Sequence, residues 1–69
     1  MQTILGAGGT IGKDLAKELI NYTSEIRLVS RNPKKVNATD ILHPADLSDA
    51  KQIDGAIAGS EVVYVVVGF

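Results

Sequence analysis

The sequence predicts an α/β fold on a parallel sheet, with elements in the order β-α-β-β-α-β. Three observations predict it. Short apolar, β-forming runs alternate with segments whose apolar residues recur at helical spacing. The first run leads directly into a glycine-rich turn, Gly6-Ala7-Gly8-Gly9-Thr10-Ile11-Gly12, that opens a helix. The final run, Glu61-Val62-Val63-Tyr64-Val65-Val66-Val67-Gly68-Phe69, reads as a buried parallel strand.

Taken in order, Gln2–Leu5 is a short first strand. From Thr10 to about Asn21, Ile11, Leu15, Leu19 and Ile20 form an apolar stripe, and Lys13, Asp14, Lys17 and Glu18 take the opposite face. Asn21 and Tyr22-Thr23-Ser24 stop that helix. Ile26–Ser30 is the second strand, and Arg31-Asn32-Pro33 ends it. Proline removes a donor and biases the residue before it away from helix.

Lys34 to Thr39 is expected to be one loose surface turn, and Ile41-Leu42-His43 a brief third strand interrupted by Pro44. Asp46-Leu47-Ser48-Asp49 opens the second helix, with Ser48 or Asp49 as N-cap, Ile53 and Ile57 inside and Gly59 as stop. The last strand follows at once. No repeat or low-complexity linker divides the chain, so residues 1–69 are read as one piece. That piece is the first half of a Rossmann-type, doubly wound parallel sheet with right-handed crossovers.

Composition narrows the functional classes. Sixty-nine residues is about half of an ordinary domain. Seven basic and eight acidic side chains give a net charge of −1, which offers no electrostatic case for nucleic acid or an anionic membrane. Cysteine is absent and His43 is the only histidine, so thiolate sites are excluded and a histidine-rich metal cluster is disfavoured. No apolar run reaches the roughly 20 residues that cross a bilayer. A cytoplasmic address is the default expectation. The valine-rich ending predicts that more sequence follows it; left as a free edge, Val62–Val67 would invite self-association.

The glycine turn carries the chemistry. Gly6 lets the chain leave the strand sharply, Gly8 and Gly9 keep side chains away from a phosphate, and Gly12 lets the helix pack closely. The first helical N–H groups, at Thr10 and Ile11, then face a pyrophosphate with the positive end of the helix dipole. A bare glycine turn remains the bland alternative. A P-loop is excluded, because Ala7 stands where its first glycine would be and Asp14 follows Lys13 in place of serine or threonine. Lys13 is therefore read as a solvated helix residue.

The end of the second strand points to the cofactor. An NAD site places an acid there for the ribose 2′-hydroxyl, but this chain has Ser30 and Arg31. A guanidinium pairs with a 2′-phosphate, and Lys34 and Lys35 add positive charge, so NADP(H) is favoured and NAD stays open. The alternative is a merely solvated basic loop. Asp46 either accepts from the adenine amino group, with Leu47 on the ring, or simply starts the turn into the helix. Val67 and Gly68 fall at the strand end where a cofactor approaches, or are core and terminator. Tyr64 lies inside a strand with Gly68 four residues on, and is read as core; His43 is read as a turn or strand residue.

These motifs, Gly6–Gly12, Ser30-Arg31-Asn32-Pro33, Ala45-Asp46-Leu47-Ser48-Asp49 and the valine strand ending in Gly68, together resemble the N-terminal half of an extended or atypical short-chain dehydrogenase/reductase, of the NAD-dependent epimerase/dehydratase kind. The resemblance spans nearly the whole chain. It implies pyrophosphate on the glycine loop, the 2′-phosphate on Arg31, and adenine framed by Asp46 and Leu47. It implies too that a proton-donating Tyr-x-x-x-Lys pair and the substrate pocket lie in later sequence, so any small-molecule substrate would be met there. The leading expectation is the NADP(H)-binding portion of a reductase or epimerase-like oxidoreductase. The alternative is a non-catalytic NADP(H)-sensing module without that pair.

Overall fold

Alternation along each strand and a 3.6-residue period along each helix build a four-stranded, wholly parallel sheet with one helix on either face. The computed structural model describes residues 1–66. Its elements are β1 (Gln2–Leu5), α1 (Thr10–Leu19), β2 (Ile26–Ser30), β3 (Ile41–Pro44), α2 (Ala50–Ile57) and β4 (Val62–Val65). The sheet order is β3-β2-β1-β4, with every neighbouring pair parallel. β1 is therefore central, registered with Ile26 on one side of Gln2 and Val62 on the other. The expected Rossmann-type arrangement is present.

Period-two alternation divides the core in two. Ile4, Ile26 and Leu28 face α1, where Ala16 and Leu19 meet them with Val36 from the loop after β2. Leu5 and Val29 face the other way and meet Ala45, Ala56, Ile53 and Ile57 around α2. Thr3, fully buried, satisfies its hydroxyl by a hydrogen bond with the Ser60 hydroxyl. Arg27 Nη1 donates to the carbonyls of Ala56 (2.6 Å) and Ala58 (3.0 Å), which meets the free carbonyls at the end of α2.

Several expectations are corrected. Ile11 is 64 % exposed, because the packing face of α1 runs through Gly12, Ala16 and Leu19 and Ile11 lies off that face. The third strand includes Pro44, which a sheet edge tolerates because its missing donor need not serve a further strand. The last strand is not buried on both faces. Val62, Val63 and Val65 are exposed, Val65 at 70 %, because β4 is an edge and the helices cover the sheet's centre. The second helix is as expected: of the two candidate caps, Asp49 is the N-cap, accepting from Lys51 N–H at 3.0 Å, and the helix begins at Ala50.

The stretch 34–40 is more tightly held than a loose turn. Asp40 is buried, and its Oδ2 accepts from the N–H groups of Val36 (3.0 Å) and Asn37 (2.6 Å). Asn37 Nδ2 donates to the Ala16 carbonyl of α1 at 2.9 Å. This segment thus fills the place of a helix on the α1 face.

Removing that buried acceptor strands two backbone donors. Asp40→Ala is expected to lower unfolding free energy by about 2–4 kcal/mol in urea denaturation. Gly55→Ala, in α2 with nothing within 4 Å of the added methyl, is expected to raise it by about 0.5–1 kcal/mol in the same assay.

Candidate functional site

From β1 the chain moves to β2 and β3 on one side, then returns through α2 to β4 on the other. The crevice at the C-terminal ends of β1 and β4 is therefore a topological switch point, where open α/β sheets bind ligands. The glycine loop lies at that point. Gly6 has φ +87°, and a Cβ there would collide with the Val66 carbonyl oxygen. The N–H groups of Gly6 and Ala7 both donate to the Val29 carbonyl, at 2.8 and 3.2 Å, which ties the turn to β2. A Cβ on Gly12 would stand 2.7 Å from Ala7 Cα and 2.9 Å from the Gly6 carbonyl oxygen, so α1 starts hard against the loop.

That start is open. Gly9 is the N-cap and offers no side chain, and the first helical bond runs from Lys13 N–H to the Gly9 carbonyl at 3.0 Å. The N–H groups of Gly8 through Gly12, with Thr10 and Ile11 between, have no acceptor among the described residues. Steric demands inside the protein do not explain Gly8 or Gly9: a Cβ on Gly8 makes only ordinary contact with Ser30, and one on Gly9 meets nothing within 4 Å. An anion that approaches backbone N–H groups does explain them. Beside Gly8, the Ser30 hydroxyl is buried with no hydrogen-bond partner, an orphan that a ligand can satisfy.

Two cavities extend from this centre. One, of about 300 Å³, is lined by Arg31, Pro44, Ala45, Asp46 and Gln52. Here Arg31 at the end of β2 and Asp46 just after β3 meet: Arg31 Nη2 lies 3.5 Å from Asp46 Oδ1. The same Oδ1 accepts from the Ser48 hydroxyl (2.7 Å) and the Ser48 N–H (2.9 Å). Asp46 therefore does start the turn, while its Oδ2 keeps no partner among the described residues and Leu47 beside it is exposed. The other cavity, of about 240 Å³, is lined by Ala7, Gly8, Lys13, Asn32 and Lys34. Lys13 is exposed, as read from sequence, and together with Asn32 it borders this cavity.

Tyr64 packs against the α1 cluster and donates its hydroxyl to Gln2 Oε1 at 3.0 Å, as expected of a structural residue. Val67 and Gly68 lie outside the described residues. Among the described residues no helix is long and apolar enough to cross a membrane.

Hydrogen bonds from the Ser48 hydroxyl and N–H, and then the Arg31 guanidinium, hold the Asp46 carboxyl below the ordinary value of 3.8. The stabilisation is complete above the unfolded carboxylate range and is lost as pH falls through the lowered folded value. In an NMR titration Asp46 is expected to have its midpoint below 3.8, and Ser48→Ala to move it upward.

A family model described as NAD(P)H-binding matches residues 6–69. Among curated proteins nothing matches the chain. Among solved structures it is similar to uronate dehydrogenase from Agrobacterium tumefaciens, solved also in complex with NAD, at 22 % identity and TM-score 0.83 over 99 % of this chain and 26 % of that one. It is similar to an NADPH-dependent quinone oxidoreductase from Escherichia coli at 26 % identity and TM-score 0.81, over 97 % and 26 %. A short-chain dehydrogenase/reductase from Veillonella parvula, in complex with NADP, matches at 28 % identity and TM-score 0.76, over 93 % and 33 %. The chain thus spans about a quarter to a third of the length of these relatives. The glycine cradle, the open helix start and the family match agree: this chain belongs to the NAD(P)H-binding family.

Proposed function

We propose that this chain is the NADP(H)-binding portion of a reductase or an epimerase/dehydratase-like oxidoreductase. Residues 1–69 then form the front of a larger dinucleotide domain, with substrate contacts made by further sequence. The observation that carries the reading is the run of unmet N–H groups from Gly8 to Gly12 at the switch point, next to the unmet Ser30 hydroxyl. Donors left open at a helix start favour a pyrophosphate, and in this reading the unmet Ser30 hydroxyl bonds to the adenosine ribose or its phosphate.

Arg31 carries the preference for a 2′-phosphate in this reading. It is 77 % exposed and its pairing with Asp46 is a solvated contact, so turning to a phosphate gives up little. Asp46 Oδ2 and Leu47 then frame the adenine, and Val67 and Gly68 line the approach of the cofactor. The relatives include an NADPH-dependent enzyme, one solved with NADP and one solved with NAD, so the choice of NADP(H) rests on Arg31 and not on them. When bound, the nicotinamide ring supplies or accepts hydride; the residues of this chain hold and orient the dinucleotide.

Replacing Arg31 with Glu sets a carboxylate against a 2′-phosphate. Fluorescence titrations are expected to show NADPH weakened about 10- to 100-fold more than NADH. Equal losses for the two would remove Arg31 from the assignment.

A further inference from the structure

We propose that Gln52 is a positioning residue for the adenine subsite, and that by fixing Asp46 it sets the preference for a purine with a 6-amino group. The inference rests on the reading above, in which Asp46 meets adenine, and deepens it. Its basis is a closed set of hydrogen bonds between the turn after β3 and the first turn of α2. The Asp46 N–H donates to Gln52 Oε1 at 2.7 Å, and Gln52 Nε2 donates to Asp49 Oδ2 at 3.2 Å. Asp49 closes the ring, because its own N–H donates to the Asp46 carbonyl at 3.0 Å.

The Gln52 amide has one orientation that fits. Turned over, its NH2 group would face the Asp46 N–H and its carbonyl would face the Asp49 carboxylate, two repulsive contacts in place of two bonds. An exposed glutamine gives up rotamer freedom to be held at both ends of its amide, and the helix does not need it to do so. Asp49 already caps α2 through the Lys51 N–H at 3.0 Å. The helix behind Gln52 is itself anchored. Ile53, the next residue, packs against the cluster around Ala56, and Arg27 bonds to the Ala56 and Ala58 carbonyls at the far end. Gln52 therefore ties Asp46 to a fixed support.

What this leaves open is one atom. The Asp46 N–H is met by Gln52, its carbonyl by Asp49, and its Oδ1 by Ser48 and Arg31. Among the described residues, Oδ2 alone keeps its full accepting capacity. Arg31, Asp46 and Gln52 line the same cavity of about 300 Å³. A carboxylate oxygen held there accepts from an amino group and repels a keto oxygen in the same place. Fixed before binding, it discriminates between the two; free to turn aside, it discriminates less.

The test is a set of fluorescence titrations with NADPH and with its hypoxanthine analogue, which carries a 6-keto group where adenine has its amino group. They are made on the wild-type chain, on Gln52→Met, which keeps the length of the side chain without its polar atoms, and on Lys51→Met as a control. The wild-type chain is expected to bind NADPH about 10-fold more tightly than the analogue, and Gln52→Met only about 2-fold, with the loss on the NADPH side. Lys51→Met is expected to keep the wild-type ratio. Hydrogen exchange followed by NMR is expected to quicken about 10-fold at the Asp46 N–H in Gln52→Met, with the Ile53 and Ala56 N–H groups unchanged, which shows that α2 is intact. If Gln52→Met keeps the wild-type ratio, or weakens both dinucleotides alike, the positioning role is overturned and the placing of adenine at Asp46 stands. If the wild-type chain binds the two dinucleotides equally, that placing falls and the role of Gln52 with it.

Discussion

Backbone meets backbone at the C-terminal end of β1, and that close approach is the constraint on which the rest of the molecule depends. The Val66 carbonyl occupies the space that any side chain on Gly6 would need, and Ala7 and Gly6 occupy the space of any side chain on Gly12. With those two positions bare, the chain turns within a few residues from the central strand into α1. The helix then begins directly over the switch point, and its open N–H groups are aimed where the sheet topology already provides a crevice. A side chain at either position would push the helix start outward and disperse those donors.

Much of this was legible in the sequence because local chemistry decides it. β1 and β2 fall where the apolar runs and Pro33 place them, and Asp49 caps α2 as a short polar side chain before an apolar stripe should. The role of Gly12 followed from its spacing after Gly6. What was not legible depends on which elements lie side by side. The valines of β4 read as core, but burial is set by position in the sheet and β4 is an edge. Ile11 fits the helical period, yet the helix presents a neighbouring face to the sheet. Asp40 likewise gives no sequence signal, because its partners are backbone groups of a segment without regular structure.

The polar groups sort themselves by what they hold. Thr3 with Ser60, Arg27 with the end of α2, and Asp40 with its own loop are satisfied internally and serve the fold. Ser30 and the N–H groups from Gly8 to Gly12 are left open, and all lie at one end of the sheet. Arg31 and Asp46 stand between these classes, paired with each other at the surface and each retaining bonding capacity. Unmet hydrogen-bonding potential is thus concentrated in the crevice and kept out of the core.

The placement of β1 also sets the order in which the molecule can assemble. β1 lies between β2 and β4 in the sheet, and β4 is made well after β2. Gln2 pairs with Val62 and Leu5 with Val65, separations that make this a slower loop closure than the pairing of β1 with β2. The Val66 N–H, bonded to the Leu5 carbonyl, reaches the glycine turn only then. A nascent chain can form the β1–α1–β2 unit early, but it has no finished phosphate cradle until β4 docks. A dinucleotide that needs this cradle would bind after β4 has docked, and would act as a latch on that step.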